Sequence, residues 1–334
     1  MTNINVAVVG CGYWGKNLIR NFHQLNTLHT ICDLIPEALQ NFQQQYPGMN
    51  ITSDYQALLN EPDIHAIVLA TPAETHFDLT QQALEAGKDV FVEKPLALRY
   101  EEGERLVALA AQKQQILMVG HLLEYHPAIT ELRHLIESGE LGKLYYLYSN
   151  RLNLGKVRRE ENILWSFAPH DIAVLLRLVG TMPVEVSARG STYLQPDIAD
   201  VTTTHLGFPD NVQAHVFVSW LHPYKEQRLV VIGERKMVVF NDVVQQGKLK
   251  IYDKHLEDTG HEFLPRHVAE TTVYLPEAEP LKLECQHFLK CIQTRSQPLT
   301  DGASGLRVLK ILDLAQQSLT QNGTTFSLAP ENML

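Results

Sequence analysis

The sequence lacks the features that would place the protein in an oxidising compartment or in a membrane. It has only four cysteines in 334 residues and no CxxC pair, which argues against a disulfide framework and makes the cytoplasm the expected location. No apolar run approaches the roughly 20 residues that span a bilayer. The apolar stretch INVAVVG at residues 4–10 follows no basic residues and is too short for a signal-peptide core, so we expect a strand there.

Basic residues are also scarce relative to acidic ones, and the formal net charge is −10. A nucleic-acid-binding surface needs a basic face, and the basic run at residues 156–159 is compatible with a solvated loop. The sequence contains neither HExxH nor a tight cluster of histidine, cysteine and carboxylate residues. We therefore expect no nucleic-acid partner and no bound metal.

The residues that are present change in pattern along the chain. Up to residue 120, short apolar runs alternate with amphipathic helical patterns, which predicts βαβ units and a doubly wound parallel sheet of the Rossmann type. Beyond residue 144, seven β-like segments follow one another, two of them joined by a turn at residues 209–211. They predict an α+β domain with a large, mostly antiparallel open sheet, and hence an α/β protein of two domains.

We place the NAD-binding domain at residues 1–120 and the substrate-binding and oligomerisation domain at residues 121–334. A helix is expected from Pro169 to Val179, and the last two helices could return to the first domain. One strand of the second domain carries apolar side chains on both faces, as Val216 and Phe217 illustrate. Since helices of one domain cover only one face of an open sheet, we expect a homodimer or homotetramer.

The stretch VAVVGCGYWG near the start of the chain fits the pattern G-x-G-x-x-G. Gly10 permits the tight turn, Gly12 lets the backbone approach a pyrophosphate, and Gly15 allows close helix packing. The predicted strand before the loop and helix after it supply the context that the pattern alone lacks. A dinucleotide-binding loop is therefore predicted, with the pyrophosphate at the helix N-terminus.

Asp33 lies at the end of the next predicted strand, 21 residues after Gly12. A carboxylate there can accept hydrogen bonds from both ribose hydroxyls and repels a 2′-phosphate, and the two residues that follow include no arginine. NAD is therefore expected rather than NADP. The alternative is that Asp33 caps the helix that starts at Pro36, and it could do both.

Several short motifs follow the glycine loop in order: ATPAETH, VFVEKP, GH with YHP, and APHD. Taken together they resemble the glucose-fructose oxidoreductase/inositol dehydrogenase family (Gfo/Idh/MocA) over essentially the whole chain. The resemblance implies an N-terminal Rossmann domain, a C-terminal domain whose open sheet packs against another subunit, and oxidation or reduction of sugars, inositols or related carbonyl compounds with a nicotinamide cofactor.

The resemblance also implies roles for individual residues. Lys94 would lie near the reacting hydroxyl and His170 would accept or donate its proton, which suits a histidine because it titrates near neutrality. A nearby ammonium would stabilise the developing alkoxide. The cofactor-binding residues predicted from the loop and the motifs are Gly10, Gly12, Tyr13, Trp14, Gly15, Asp33, Thr71, Pro72, His76, Glu93 and Lys94.

The chain departs from the family around the histidine. Many members have an aspartate four residues before it and an acid three residues after it, where this chain has Ser166 and Ala173. The aspartate-assisted form of the mechanism is therefore not expected here. Asp171 is adjacent to the histidine, but as a residue near a helix start it could point away.

The polar segment from Asn150 to Asp171 is rich in cations for an acidic chain, and two more cations follow in a later pair of strands. Arginine suits a diphosphate or a carboxylate, although a solvated loop or a subunit contact explains the pattern equally well. The run RREEN-L-W-x-APHD resembles the family branch that acts on UDP-sugars. The predicted substrate-binding residues are Arg151, Asn153, Arg158, Arg159, Asn162, Trp165, Lys225 and Arg228.

The branch resemblance implies oxidation of the sugar 3-hydroxyl of UDP-N-acetylglucosamine to a ketone. A pyridoxal-phosphate aminotransferase would then aminate this ketone, for the 2,3-diamino sugars of lipid A or O-antigen. The corresponding uronate is the second substrate choice, and another sugar or cyclitol is a third. A non-catalytic NAD-binding redox sensor is the alternative outside enzymes, and it would be expected to lack Lys94 or His170.

Overall fold

The computed structural model describes residues 4–328, which divide into two compact units. The first unit runs up to Tyr125 and takes up Glu279–Leu309 again; the second comprises His126–Ala278 and the chain from Lys310 onward. The chain thus passes between the units three times.

The first unit contains a six-stranded sheet with helices between the strands. Its elements up to residue 120 are β1 (Val6–Val9), α1 (Gly15–Gln24), β2 (Leu28–Cys32), α2 (Pro36–Gln45), β3 (Asn50–Thr52), α3 (Tyr55–Asn60), β4 (Ala66–Leu69), α4 (His76–Glu85), β5 (Asp89–Glu93), α5 (Tyr100–Lys113) and β6 (Leu117–Gly120). The strand order is β3-β2-β1-β4-β5-β6, and every pair is parallel. The predicted doubly wound Rossmann sheet is confirmed.

Alternation of side chains along each buried strand builds two cores, one on each face of this sheet. On β5, Phe91 joins the core that also contains Leu18 of α1, whereas Val90 and Val92 join the core with Leu106 of α5. Both faces are thus covered by helices. The carboxyl ends of the strands remain as the edge where ligands bind in sheets of this type.

The second unit contains a nine-stranded sheet and two helices that precede or interrupt its strands. Its elements before residue 279, together with one short strand near the C-terminus, are α6 (Pro127–Glu137), β7 (Leu144–Leu154), α7 (Ile163–Val179), β8 (Glu185–Ser191), β9 (Val201–Gly207), β10 (Gln213–Ser219), β11 (Leu221–Gly233), β12 (Met237–Asn241), β13 (Leu249–Asp258), β14 (Phe263–Val273) and β15 (Phe326–Ser327).

The strand order of this sheet is β14-β13-β12-β11-β7-β10-β9-β8-β15. All neighbouring strands are antiparallel except β7 and β10, which are parallel. The predicted large, mostly antiparallel sheet is therefore confirmed, and so is the hairpin at residues 209–211, which joins β9 to β10.

The helix that was expected to start at Pro169 starts at Ile163, so that prediction is wrong. Asn162 caps the helix by accepting the backbone N–H groups of Leu164 and Trp165 at 3.1 and 3.4 Å. Pro169 lies inside the helix, where it removes one backbone donor. The turns before Pro169 are stabilised by the Asn162 cap and by burial of their apolar side chains. The prediction failed because it took the proline as the only signal for the helix start.

Two further helices lie between β14 and β15, α8 (Pro280–Thr294) and α9 (Gly302–Thr320). Helix α8 belongs to the first unit, and the division between the units falls inside α9, after Leu309. Close packing of α9 on β6 requires glycine, since a Cβ at Gly305 would lie 2.6 Å from a methyl carbon of Val119. No helix within residues 4–328 is long and apolar enough to cross a membrane.

Candidate active site

The glycine loop between β1 and α1 adopts a shape that depends on glycine. Gly10 has φ of +94°, and a Cβ there would lie 2.7 Å from the carbonyl oxygen of Ala70. A Cβ at Gly15 would lie 1.8 Å from the carbonyl oxygen of Gly10. Around Gly12, in contrast, a Cβ would meet no heavy atom of residues 4–328 within 4 Å apart from those of its neighbours in the chain. The loop therefore leaves an open cradle beside the N-terminus of α1, which fits the pyrophosphate of a dinucleotide.

Asp33, at the end of β2, is held by two backbone hydrogen bonds. The N–H of Cys11 in the glycine loop donates to Oδ2 at 2.6 Å, and the N–H of Ile35 donates to Oδ1 at 2.9 Å. A carboxylate offers about four lone-pair positions, so each oxygen keeps capacity for a ribose hydroxyl. The N-cap residue of α2 is Ile35, so Asp33 fixes the turn before that helix and does not cap it directly.

His76 joins the two turns that follow β4 and β5. Its Nδ1 lies 2.7 Å from the carbonyl oxygen of Pro95, and its Nε2 lies 3.0 Å from the carbonyl oxygen of Thr71. Burial lowers the pKa of His76, and the two carbonyl contacts oppose that effect. His76 was predicted to bind the cofactor; in the structure it contacts the backbones that carry Thr71 and Lys94.

Glu93 and Trp14 contact each other, although they lie far apart in sequence. The indole Nε1 of Trp14 donates a hydrogen bond to Oε1 of Glu93. Burial raises the pKa of Glu93 to about 7, while the Trp14 hydrogen bond and the neighbouring Lys94 act in the opposite direction. The glycine loop is thus linked to the end of β5, immediately before Lys94.

His121, which follows β6, is a titratable neighbour of Lys94 to which the sequence analysis gave no role. It is 2% exposed, and burial together with the charge of Lys94 lowers its pKa to about 3. His121 is therefore neutral at physiological pH. Its position in the GH motif directly after a strand was the available signal, since ligand-facing residues in such sheets cluster at strand ends.

In the second unit, His170 lies on α7, one residue before a buried ion pair. Asp171 accepts hydrogen bonds from Nε and Nη2 of Arg151 at 2.6 and 3.1 Å and from the hydroxyl of Ser149 at 2.6 Å. Burial would lower the pKa of Arg151, but the Asp171 carboxylate raises it above its ordinary value. The network connects α7 to β7. It also engages the Arg151 guanidinium that the sequence analysis assigned to the substrate.

Asn162 and Trp165, also predicted to bind substrate, contact a side chain of α9 in the same unit. The Asn162 amide donates to Oε1 of Gln316 at 2.7 Å, and the Trp165 indole donates to the same oxygen at 3.1 Å. Together with the helix-capping bonds of Asn162, these contacts fix the start of α7. Their binding of a substrate stays a prediction.

The structure does not bring the predicted cations into one cluster. On adjacent strands, Arg151 pairs with Gln227 and Asn150 pairs with Arg228. Since directly opposed residues share a face and successive residues alternate, Arg151 and Arg228 project from opposite faces of the sheet. One diphosphate cannot lie against both faces at once.

The remaining predicted substrate residues lie at the end of β7, in the connection after it and near the start of β11. Arg158 is partly exposed and lies 3.7 and 3.8 Å from the carboxylates of Glu160 and Glu161, which is a weak pairing at such exposure. Arg159 and Lys225 are exposed, and Asn153 is half-buried. Arg158 and Arg159 therefore remain available to an anionic ligand.

A surface cavity of about 420 Å³ lies elsewhere in the second unit, between β7, β9 and β10. Lys143, Tyr146 and His215 are among its lining residues, and its lining includes no residue that the sequence analysis assigned to the site. It opens on the face that carries the stacked rings of Tyr148 and His215, the face opposite α7. Among residues 4–328, no group of three or more His, Cys, Asp or Glu side chains is arranged to hold a metal ion.

The glycine cradle, the fixed Asp33 carboxylate and the linked turns after β4 and β5 define an NAD-dependent oxidoreductase with a Rossmann unit. Its family model, the oxidoreductase family with an NAD-binding Rossmann fold, matches residues 4–121, and the GFO/IDH/MocA C-terminal domain model matches residues 129–239. The chain belongs to the Gfo/Idh/MocA family, as the sequence motifs predicted.

Characterised relatives resemble the chain over nearly its whole length. A UDP-N-acetylglucosamine 3-dehydrogenase from Acidithiobacillus ferrooxidans is 28% identical over 92% of this chain and 95% of its own. A scyllo-inositol 2-dehydrogenase (NAD+) from Bacillus subtilis is 25% identical over 97% of this chain and 96% of its own. The solved structure of the Acidithiobacillus ferrooxidans UDP-N-acetylglucosamine 3-dehydrogenase superposes with a TM-score of 0.85 at 24% identity, covering 96% of this chain and 99% of that one, and shows the shared fold.

Proposed function

We propose that this chain oxidises the 3-hydroxyl of the sugar in UDP-N-acetylglucosamine to a ketone, with NAD⁺ as the hydride acceptor. The observation that carries the proposal is the similarity to a UDP-N-acetylglucosamine 3-dehydrogenase over 92% of this chain. Two available arginines in the second unit support it, since arginine pairs well with a diphosphate. The 3-keto product suits a pyridoxal-phosphate aminotransferase as the next enzyme. We further propose that the chain acts as a homodimer or homotetramer in the cytoplasm.

In the proposed reaction, Lys94 and His170 have separate roles at the substrate hydroxyl. NAD⁺ supplies the acceptor for the hydride that leaves the carbon. His170 takes the hydroxyl proton, and the ammonium of Lys94 stabilises the alkoxide that forms as the proton leaves.

The buried residues beside these two groups position them. His76 holds the carbonyl of Pro95 and thereby the turn that carries Lys94. The Asp171 carboxylate, bound by Arg151 and Ser149, fixes the turn of α7 that carries His170. Ser166 and Ala173 stand in place of the acids found in many members, and the carboxylate that this segment buries is that of Asp171. Its carboxylate is already engaged by three hydrogen bonds.

Deuterium transfer tests the proposal most directly. UDP-N-acetylglucosamine carrying deuterium at C3 should transfer it to the cofactor, and the reduced cofactor analysed by mass spectrometry should be one mass unit heavier than that from unlabelled sugar. An added aminotransferase with its amino donor should draw the equilibrium toward products. The His170→Ala variant is the matched control and should label the cofactor about 10²- to 10⁴-fold more slowly.

Two other substrates decide between the alternatives. The uronate form of the sugar should be tested in the same assay, because carboxylate and hydroxymethyl groups place different demands on nearby cations. scyllo-Inositol should be tested because the inositol dehydrogenase relative covers 97% of this chain. Oxidation of the inositol without oxidation of either UDP-sugar would contradict the nucleotide-sugar assignment. Binding of NAD⁺ with no turnover of any substrate would favour a redox sensor.

The two available arginines give a second, independent test. Arg158→Ala or Arg159→Ala should raise the KM for the UDP-sugar without altering NAD⁺ affinity, which depends on the glycine loop and Asp33. Lys156→Ala removes an equal charge from the same segment and is the matched control. If free UDP competes with the substrate but neither arginine variant changes KM, Lys225 or Arg228 becomes the candidate for the diphosphate.

A further inference from the structure

The first unit buries three carboxyl groups close to one another: Glu93 at the end of β5, Glu124 after β6, and Glu284 on α8. The proposed chemistry on the substrate uses none of them directly. Burying a carboxylate is costly unless it is paired or protonated. Their arrangement therefore bears on where protons reside beside Lys94.

Helix α8 runs along β5 in the opposite direction, so Glu284 lies over Glu93. Arg295, just after α8, binds Asp89 at the start of β5 at 2.7 Å. In the middle, the ring of Phe288 packs edge-on against Phe91 with centroids 5.6 Å apart. Glu284 lies one turn before Phe288, and Glu93 lies two residues after Phe91 on the same face of the strand.

Glu284 and Glu93 differ in how their oxygens are satisfied. Glu284 is 0% exposed, and neither of its carboxyl oxygens has a hydrogen-bond partner among the described residues. Glu93 accepts the Trp14 hydrogen bond, and its carboxyl packs against Gly120, where a Cβ would lie 2.9 Å from Oε2. A buried carboxylate without any donor is strongly disfavoured, so Glu284 retains its proton.

The protonation states of Glu93 and Glu284 depend on the titratable groups that surround them. Burial raises the pKa of Glu284 well above its ordinary value, and the charges of Glu93 and Glu124 raise it further. The pKa values of Cys285 on α8 and of Tyr125 after β6 are also raised by burial, so both groups are neutral. His121 is neutral because its pKa is lowered to about 3 by burial and Lys94. Glu93, with its pKa of about 7, changes charge between pH 6 and 8.

We propose that Glu93 binds a proton that is released when NAD⁺ binds and retained when NADH binds. Glu284, next to it, stays protonated throughout, so the proton is exchanged at Glu93. The proposal rests on NAD as the cofactor, but not on the identity of the sugar. Glu93 contacts the glycine loop and adjoins Lys94, so it lies at the edge where the cofactor binds.

The coupling follows from charge. The oxidised nicotinamide carries a positive charge and the reduced one does not, whereas the pyrophosphate is common to both forms. A positive charge nearby favours the ionised carboxylate and lowers its pKa. Binding of NAD⁺ should therefore release a proton from Glu93 near neutral pH. When hydride transfer removes that charge, the pKa of Glu93 rises again and its carboxylate can rebind a proton from solvent.

Calorimetric titration of the intact protein with NAD⁺ and with NADH, in two buffers of different ionisation enthalpy, measures this exchange without any substrate. Near pH 7, NAD⁺ binding should release a larger fraction of a proton than NADH binding. The ratio of the dissociation constants, Kd(NADH)/Kd(NAD⁺), should rise by about fivefold between pH 6 and 8 if NAD⁺ lowers the pKa of Glu93 by about one unit.

Two isosteric variants locate the exchanging group. Glu93→Gln, which keeps an acceptor for Trp14, should abolish the difference in proton release between NAD⁺ and NADH. Glu284→Gln should retain that difference but remove the infrared carbonyl band of a buried, protonated carboxylic acid at pH 7. Equal proton release for the two cofactors in the wild type would overturn the proposal. So would loss of the difference in Glu284→Gln combined with its survival in Glu93→Gln. Neither result would bear on the UDP-sugar assignment, and failure of the deuterium-transfer assay would leave this proposal intact.

Discussion

The glycine loop of the first unit and the basic segment at residues 150–171 of the second unit are both rich in predicted binding residues. The fold brings those of the loop together and separates those of the basic segment from the later cations. In the glycine loop, Gly10, Gly12 and Gly15 stand side by side with Asp33, which is tied to the loop by the 2.6 Å bond from Cys11. In the basic segment, β7 carries Arg151 into a buried pair with Asp171. Arg228 leaves the opposite face of the same sheet.

The difference reflects the range over which each pattern acts. A strand, a tight turn and a helix N-terminus follow one another directly, so their spacing in sequence fixes their spacing in space. Cations gathered in sequence on and after a strand are distributed by the alternation of its two faces. Local composition therefore locates a phosphate-binding turn far better than it locates a diphosphate-binding cluster.

The largest expected effect concerns the two proposed catalytic residues. Lys94→Ala and His170→Ala should each lower kcat by about 10²- to 10⁴-fold, the usual contribution of positioned acid–base groups. NAD⁺ affinity should change little, since the glycine loop and Asp33 remain. Steady-state kinetics with UDP-N-acetylglucosamine and direct cofactor titration measure the two quantities. Near-normal turnover in His170→Ala would exclude the histidine as the base.

The next largest effect should distinguish the buried Arg151 from the partly exposed Arg228 by their contributions to stability. Arg151→Ala leaves the buried Asp171 carboxylate without its ion-pair partner and should lower the free energy of unfolding by about 3–5 kcal/mol. Arg228→Ala, at a side chain that is 40% exposed, should change it by under about 1 kcal/mol. Denaturant unfolding of both variants measures this. If the double variant Arg151→Met, Asp171→Leu is no more stable than Arg151→Ala, the unpaired charge is not the cause.

The buried carboxyl of Glu284 should make stability depend on pH. Its pKa is raised in the folded state, so between its unfolded pKa of about 4.3 and its folded pKa the folded protein binds a proton that the unfolded chain has lost. Its contribution therefore favours folding below that window and is lost as pH rises, by up to about 1.4 kcal/mol per pH unit. Unfolding measurements at pH 6 and 8 should show a smaller decline in Glu284→Gln than in the wild type. An equal decline in both proteins would assign the effect to other groups.

The smallest effect concerns the cofactor itself. Asp33→Asn keeps the Oδ1 acceptor but removes the charge, so the preference for NAD over NADP should narrow by about fivefold to tenfold, the difference between a charged and a neutral hydrogen-bond acceptor. Competitive titration of the two cofactors measures the preference. The exposed Asp63→Asn is the control of equal charge. A wild-type preference for NADP would contradict the assigned role of Asp33.

The sequence predicted more of the fold than of the site. Alternating strand and helix patterns predicted the parallel sheet, and runs of β segments predicted the mostly antiparallel one. The start of α7 was misplaced because Pro169 was taken as a helix start, whereas the Asn162 cap and buried apolar side chains carry the helix through the proline. The hydrogen bonds from Asn162 and Trp165 to Gln316 could not be predicted, since they join residues more than 150 positions apart.

The sequence by itself determined the dinucleotide-binding turn, the family and the order of the two sheets, because each depends on short-range spacing or on the period of the side chains. Only the tertiary structure decided that Arg151 is paired with Asp171, that His76 holds two turns together, and that Glu284 lies over Glu93. Burial and pairing set the charge of such groups, and both depend on which distant segment packs against them. The composition of the chain does not predict which distant segment that is.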